Sequence, residues 1–255
     1  MNKSHFAISR ILNGLLILTL LLRPVGVPSV NALAAPAGTA LQFNGSSQYV
    51  TFGSSAGTAT GLGVQTFTIE TWFKRTGTGV TTSTGTGGLT SAIPLVTKGR
   101  GENENSTVDM NYFFGIDTTG VLAADFEECA RAQSGCPATT SNATQGGQNY
   151  PVRGSTTIQN NVWYHAAVTY DGRYWKLYLN GALETMTGAD TGAARLPRWE
   201  SIQHAGIGTA MNSTGVAAGF FAGVIDEVRI WNVVRTQDEI QADMYTELTS
   251  GTSLI

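Results

Sequence analysis

The chain has 255 residues and a formal net charge of −3, and only 13% of its residues are charged. It has no block of basic residues, which argues against nucleic acid or an anionic membrane as a partner. Its 31 glycines favour short strands joined by tight turns, and its length is sufficient for one large β-sandwich with a sizeable core.

The first 34 residues are predicted to be a secretory signal peptide. A basic leader with Lys3 and Arg10 precedes an apolar run over residues 11–22, and Ala-Leu-Ala at 32–34 matches the cleavage pattern. The run is too short for a transmembrane helix, which needs about 20 residues; the alternative is an uncleaved anchor. We therefore expect an extracellular protein, secreted or on the cell surface, with no membrane span after cleavage.

The domain that follows is assigned to residues 35–250, and its first part is predicted to contain strands and one long loop. Residues 40–52 hold two short strands around an Asn-Gly turn, and residues 66–74 alternate between apolar and polar positions. The Thr/Gly-rich loop 76–92 has low complexity, so we expect it to be mobile and to bury no core residue. The apolar positions of the alternating segment are Phe67, Ile69 and Phe73.

Further strands are predicted in the middle of the chain. A strand at residues 93–98 is followed by a hairpin with arms at 110–116 and 121–127. The segments VWYHAAVTY, RYWKLYL and ALETMT then form three strands, joined by an Asp-Gly turn and an Asn-Gly turn. These dipeptides favour the positive φ angles that tight hairpins need, so the three strands are predicted to form an antiparallel meander.

The last part of the domain is predicted to contain two strands and a helix. The strands are placed at residues 203–209 and 219–231, and Thr236 and Glu239 form a capping box at the start of the helix. Residues 251–255 are interpreted as a tail or a truncated end. The predicted fold is all-β, an antiparallel two-sheet β-sandwich with one short C-terminal helix.

The only two cysteines, Cys129 and Cys136, lie in the polar stretch 128–156, which is interpreted as a long insertion loop. Two cysteines at this spacing in an exported protein predict a local disulfide. A metal site built on these two thiolates would need further ligands, and the nearby sequence offers none.

Three stretches resemble the LamG-like jelly-roll family, whose relatives include laminin G and pentraxin domains. They are ALQFNGSSQYVTF with TFTIETWFKR, then WYHAAVTYDGRYWKLYLNG, then GFFAGVIDEVRIWNVVRTQDEI, and together they cover about residues 40–248. The resemblance implies a concanavalin A-like jelly roll in which one sheet is concave. It also implies a domain that binds glycans or proteins, or that serves as a module of a larger surface protein.

No catalytic residue is predicted. Asp125 and Glu127 share a strand face, but Ala123 occupies the position where related sandwich glycosidases carry their first acid. We therefore interpret these carboxylates as solvated groups near a strand end. His165 lies on a strand with no Ser or Cys nucleophile motif nearby, which favours a structural role.

A calcium site is considered at Asp226. In GVIDEVRIW this residue is predicted to interrupt an apolar strand face that includes Val224 and Ile230, and a buried carboxylate must be compensated. The resemblance implies a structural Ca²⁺ near this strand, with Asn44 and Gly45 as the candidate neighbouring ligands. The alternative is a carboxylate that accepts hydrogen bonds from backbone N–H groups.

Trp199 and Arg198 are the candidate ligand-binding residues. Four other tryptophans lie in predicted strands, where core packing is expected, whereas Trp199 lies in the loop sequence RLPRWES. A loop aromatic with arginine neighbours is a plausible contact residue; the alternative is a ring that folds onto the sandwich edge. The leading functional hypothesis is a non-catalytic module that binds a glycan or an extracellular protein. The alternatives are a structural spacer in contact with neighbouring domains of a longer chain and a hydrolase.

Overall fold

The computed structural model describes residues 38–54, 61–103, 108–140, 147–190 and 192–255, so the predicted signal peptide at 1–34 lies outside the described residues. The elements are β1 (Leu41–Asn44), β2 (Val50–Thr51), β3 (Phe67–Arg75), β4 (Ala92–Lys98), β5 (Tyr112–Asp117), β6 (Leu122–Asp125), β7 (Val152–Arg153), β8 (Trp163–Tyr170), β9 (Tyr174–Leu179), β10 (Ala182–Gly188), β11 (Ala205–Ile207), β12 (Thr209–Met211), β13 (Ala217–Phe220), β14 (Ala222–Trp231) and α1 (Gln237–Asp243).

Two six-stranded antiparallel sheets contribute side chains to one shared core. The first sheet has the order β1-β14-β3-β8-β9-β10, and the second has the order β2-β11-β4-β5-β6-β7, while β12 and β13 form a separate pair. The predicted all-β sandwich with one short C-terminal helix is therefore confirmed. Within the described ranges, the protein has no helix with the length and apolarity that a membrane crossing demands.

Strand β3 shows how the sandwich is layered. Its alternating residues Phe67, Ile69 and Phe73 are buried between the sheets, as predicted. The opposite face is also buried, because α1 and the chain after it cover it: the indole Nε1 of Trp72 donates a hydrogen bond to the Met244 carbonyl over 2.6 Å. Helix α1 begins with the predicted capping box. The first sheet is thus covered on both faces around β3.

The segment 40–52 forms two strands, as predicted, but the strands belong to different sheets. β1 pairs with β14, whereas β2 pairs with β11. The connection is stabilised by Asn44, whose Oδ1 accepts hydrogen bonds from the amides of Ser46, Ser47 and Gln48. The Asn-Gly turn therefore carries the chain from one sheet to the other rather than closing a hairpin.

The outer face of the second sheet is covered by loops. Phe113 and Ala123 on this face pack against Leu89 of the Thr/Gly-rich loop and against Met110. The expectation that loop 76–92 buries no core residue is wrong, because Thr84 and Leu89 are fully buried. The loop is also paired to the sandwich through backbone bridges from Val80 to Phe220 and from Thr82 to Ala92.

Two further segments are more ordered than the sequence indicates. The stretch 128–156 includes β7, which pairs with β6 and extends the second sheet. The C-terminal residues 251–255 return to the end of β14, where the Ile255 amide donates to the Ile230 carbonyl over 2.9 Å. Cys129 and Cys136 form the predicted disulfide, with their Cα atoms 6.0 Å apart.

Candidate functional site

A groove of ≈400 Å³ contains Trp199. It is lined by the segment Gly63 to Thr66, which leads into β3, by Trp199, and by Asn232, which follows β14. The Trp199 side chain is half-buried, while Gln65 and Asn232 are exposed. The groove therefore combines one accessible aromatic surface with two amide groups that can donate and accept hydrogen bonds.

The pairing of β3 with β14 places two residues of the groove, Gln65 and Asn232, close to each other. β3 and β14 are antiparallel neighbours, and Thr68 pairs with Trp231. Gln65 lies just before the start of β3 and Asn232 just after the end of β14, so both amides lie at the same end of this strand pair. Our sequence interpretation missed these two residues. The apolar-polar alternation in β3 and β14 is the sequence signal from which their register, and so the proximity of these two residues, could have been predicted.

The loop that carries Trp199 is tied to the neighbouring disulfide loop by backbone hydrogen bonds. The Cys129 amide donates to the Leu196 carbonyl over 2.8 Å, and the Arg198 amide donates to the Glu127 carbonyl over 2.9 Å. The Thr139 hydroxyl donates to the Ala194 carbonyl over 2.8 Å. These hydrogen bonds restrict the loop that carries Trp199. Contact between Trp199 and a ligand therefore costs less conformational entropy than contact through a flexible loop would.

Arg198 does not line the groove, so the structure gives no support to its prediction as a ligand-binding residue. Its side chain is buried, with Nη2 at 2.9 Å from Asp109 Oδ2 and Nη1 donating to Gln133 Oε1 over 3.1 Å. Its neighbour Arg195 is buried as well, and its Nε donates to the Tyr150 hydroxyl over 2.8 Å. Both arginines connect loops of the protein, because residues distant in sequence supply the hydrogen-bond acceptors.

The acids on the second sheet are also placed differently from expectation. Asp125 and Glu127 are fully buried beneath the loops, so their interpretation as solvated groups is wrong. Burial raises the pKa of Asp125 to about 7, although the Thr84 hydroxyl and the Asn149 amide donate hydrogen bonds to it. The amide of Met110 donates to Glu127. These carboxylates are enclosed by protein groups and are inaccessible to a polymeric substrate.

A β-bulge changes the environment of Asp226. The register of β14 against β3 shifts between Asp226 and Arg229, and Glu227 has a φ angle of 48°. Ile225 and Ile230 consequently both face the core, although the alternating pattern placed them on opposite faces. Asp226 therefore does not interrupt the core-facing side of the strand.

The three predicted calcium ligands do not converge. Asn44 pairs with Ala222, four positions along β14 from Asp226, which corresponds to about 13 Å. Asp226 Oδ1 accepts a hydrogen bond from the Glu227 amide over 2.9 Å, and burial followed by the charges of Glu227 and Glu247 raises its pKa. Among the described residues, no group of three or more His, Cys, Asp and Glu side chains could hold a metal ion. Asp226, Asn44 and Gly45 therefore do not fit a shared ion.

Sequence comparison gives a family match across most of the domain. Residues 44–241 match the laminin G type model of the concanavalin A-like lectin/glucanases superfamily. Pappalysin-1 of Mus musculus is 38% identical over 85 residues, which are 33% of this chain. The human protein of the same name is 35% identical over 85 residues. The matched stretch spans 5% of the length of each of these curated relatives.

Comparison with solved structures gives the same architecture. A candidate carbohydrate binding protein from Bacteroides ovatus aligns with a TM-score of 0.52 and 19% identity, over 84% of this chain and 49% of that chain. A mutant of NanB sialidase from Streptococcus pneumoniae aligns with a TM-score of 0.51 and 16% identity, over 85% of this chain and 28% of that chain. At these identities the likeness supports the fold alone.

Proposed function

Because the chain belongs to the concanavalin A-like lectin/glucanases superfamily, we propose that it is a non-catalytic extracellular recognition module that binds carbohydrate in the Trp199 groove. The observation that carries this proposal is the half-buried indole of Trp199 beside the exposed amides of Gln65 and Asn232. The likeness to a candidate carbohydrate binding protein adds support at the level of the fold.

The groove has the chemistry that a sugar ring requires. A pyranose presents an apolar face of C–H groups, which packs on an aromatic ring, and an edge of hydroxyls, which both donate and accept hydrogen bonds. Trp199 supplies the ring, and amide side chains such as Gln65 and Asn232 can donate to and accept from the same ligand. The groove is open rather than enclosed, so a sugar within a longer glycan could enter it.

A hydrolase is disfavoured by the burial of the acids on the second sheet. Most glycoside hydrolases use two carboxyl groups that flank the bond to be cut, whereas Asp125 and Glu127 lie beneath the covering loops. The sialidase that shares this architecture is much longer than its aligned part, which is 28% of its chain. Its activity is therefore not transferred to this domain.

A glycan array on the purified protein, followed by calorimetric titration of the best ligand, tests the proposal. Trp199→Ala should weaken binding by at least about tenfold, as expected for an aromatic anchor residue. Trp163→Ala is the matched control, because Trp163 is also half-buried but lies outside the groove, next to Lys74. The proposal fails if no glycan binds, or if both substitutions weaken binding equally. The structural spacer would then be the better account.

A further inference from the structure

The Trp199 groove has an uncharged lining. No Asp, Glu, Lys, Arg or His side chain from the ranges that the structure describes lines it. The two arginines that precede Trp199 in the same loop are paired with buried carboxylates. Arg198 Nη2 lies 2.9 Å from Asp109 Oδ2. Arg195 Nε lies 3.6 Å from Glu128 Oε2. The positive charges of this loop are therefore neutralised inside the protein rather than directed to a ligand.

Two exposed charges lie on the loops beside the groove. Glu200 directly follows Trp199, and Arg131 lies in the loop closed by the disulfide, which also contains Gly135. These two charges have opposite signs, so together they give the entrance of the groove no net positive charge. Neither side chain belongs to the lining.

The wall of the groove before β3 is fixed by a buried side chain. The Val64 amide donates to Asn111 Oδ1 over 3.0 Å, and Asn111 Nδ2 donates to the Val64 carbonyl over 2.9 Å. Because Asn111 is fully buried, this pair of hydrogen bonds holds the segment that carries Gln65. A Cβ atom built on Gly135 would stand 3.6 Å from Trp199 Cζ2 and 3.8 Å from Gln65 Nε2. The ring and the neutral amide thus lie beside the same residue, and one sugar ring can contact both.

We propose that the Trp199 groove selects uncharged, hydroxyl-bearing sugars over sugars that carry a carboxylate or a sulfate, an inference that rests on the proposed glycan-binding function. The face of an aromatic ring is the negative pole of its quadrupole, so it attracts the C–H groups of a neutral pyranose and repels an anionic substituent. A hydroxyl both donates and accepts hydrogen bonds, as the amides of Gln65 and Asn232 do, whereas a carboxylate only accepts. An anion in this groove would lose hydration without gaining a counter-charge.

Matched oligosaccharides that differ in charge test this preference. A glycan array carries each neutral oligosaccharide beside its C6-oxidised form, which has a carboxylate in place of the C6 hydroxymethyl group, and beside the uncharged methyl ester of that form. We expect the strongest ligand to be neutral. In calorimetric titrations at low salt its C6-oxidised form should bind at least about tenfold more weakly, and the methyl ester should recover most of that loss. The affinity of the neutral ligand should change less than about twofold between about 20 mM and about 500 mM NaCl, because no charge pair is screened.

Gln65→Lys places a cation beside the Trp199 ring and should shift the preference toward the C6-oxidised form by at least about fivefold. Gln65→Met is the matched control, since it has a similar length and no charge, and it should weaken the binding of both forms to the same extent. Gln65 is exposed, so both variants should fold, which thermal unfolding checks. Arg131→Gln should leave the affinity of the neutral ligand unchanged, because Arg131 does not line the groove.

The inference is overturned if the strongest ligand is anionic, or if the C6-oxidised form binds as tightly as its neutral parent. It is also overturned if an anionic glycan binds tightly to the wild type and is lost in Arg131→Gln, which would identify Arg131 as the counter-charge. In each of these cases the proposed function stands as long as Trp199→Ala abolishes binding. If no glycan binds at all, the proposed function itself fails, and this inference fails with it.

Discussion

The indole ring of Trp199 lies directly against Gly135, so that a Cβ atom added to this glycine would stand 3.6 Å from Trp199 Cζ2. Gly135 precedes Cys136 within the loop closed by the disulfide and has a φ angle of 88°, a conformation that glycine adopts without strain. The disulfide loop therefore forms part of the surface on which the Trp199 ring rests. This contact connects the covalent bridge to the proposed glycan site.

Removing the disulfide with Cys129→Ala and Cys136→Ala together should weaken glycan binding and destabilise the fold. Closure of a short loop is expected to contribute about 2–3 kcal/mol to the free energy of unfolding. Urea unfolding measures that loss, and calorimetric titration measures the affinity under conditions where the variant is still folded. Unchanged affinity in the folded variant would show that the bridge does not position Trp199.

Trp175→Ala should destabilise the protein far more than Trp199→Ala. Trp175 is 1% exposed in the central core, where its indole Nε1 donates to the Tyr150 carbonyl over 2.9 Å. Truncation of a core tryptophan costs about 3–5 kcal/mol, whereas a groove residue should cost less than about 1 kcal/mol. The sequence predicts the same large cost for Leu177, which is fully buried. Thermal unfolding of the three alanine variants checks this order, and equal losses would contradict it.

The buried carboxyl of Asp125 should make stability depend on pH. Its pKa is about 7 in the folded protein and 3.8 when unperturbed, so between these values the folded state holds the proton more tightly than the unfolded state. The free energy of unfolding due to this group therefore falls as pH rises from about 4 to about 7, and the change between pH 5 and pH 7 is about 2–3 kcal/mol.

Asp125→Asn isolates this contribution. The variant should be less stable overall, because an amide NH₂ group cannot accept the hydrogen bonds that the carboxylate receives from Thr84, Asn149 and the backbone. The difference in unfolding free energy between wild type and variant should nevertheless shrink between pH 5 and pH 7, as measured by urea titration. A difference that stays constant over this interval would show that the carboxyl is already ionised in the folded protein at pH 5.

Calcium binding through Asp226 stays a prediction. If it occurs, a hundredfold excess of calcium over Kd stabilises the native state by about 2.7 kcal/mol. That raises the melting temperature by about 5–10 °C for a domain of this size. Asp226→Asn should abolish the response, whereas Asn44→Ala should retain it, because Asn44 lies beside Ala222 rather than beside Asp226. Identical melting in calcium and in EDTA would contradict the metal hypothesis.

The sequence by itself determined the features that depend on local patterns. The meander β8–β9–β10 follows from alternation and two tight-turn dipeptides, and α1 follows from the capping box of Thr236 and Glu239. The pairing of Cys129 with Cys136 follows from their number and spacing. In each case the interactions that specify the structure lie within about ten residues along the chain, so a sequence window contains them.

Only the tertiary structure decided which of these surfaces remain exposed. Alternation places Asp125 on the outer face of a sheet but does not reveal that Leu89, which lies 36 residues earlier, belongs to the loops that cover that face. Arg198 is buried because its guanidinium forms an ion pair with Asp109, which is 89 positions away in sequence. The bulge in β14 reverses the side-chain alternation after Asp226. Burial and ion pairing depend on contacts between distant segments, and local periodicity carries no information about which segment covers a given face.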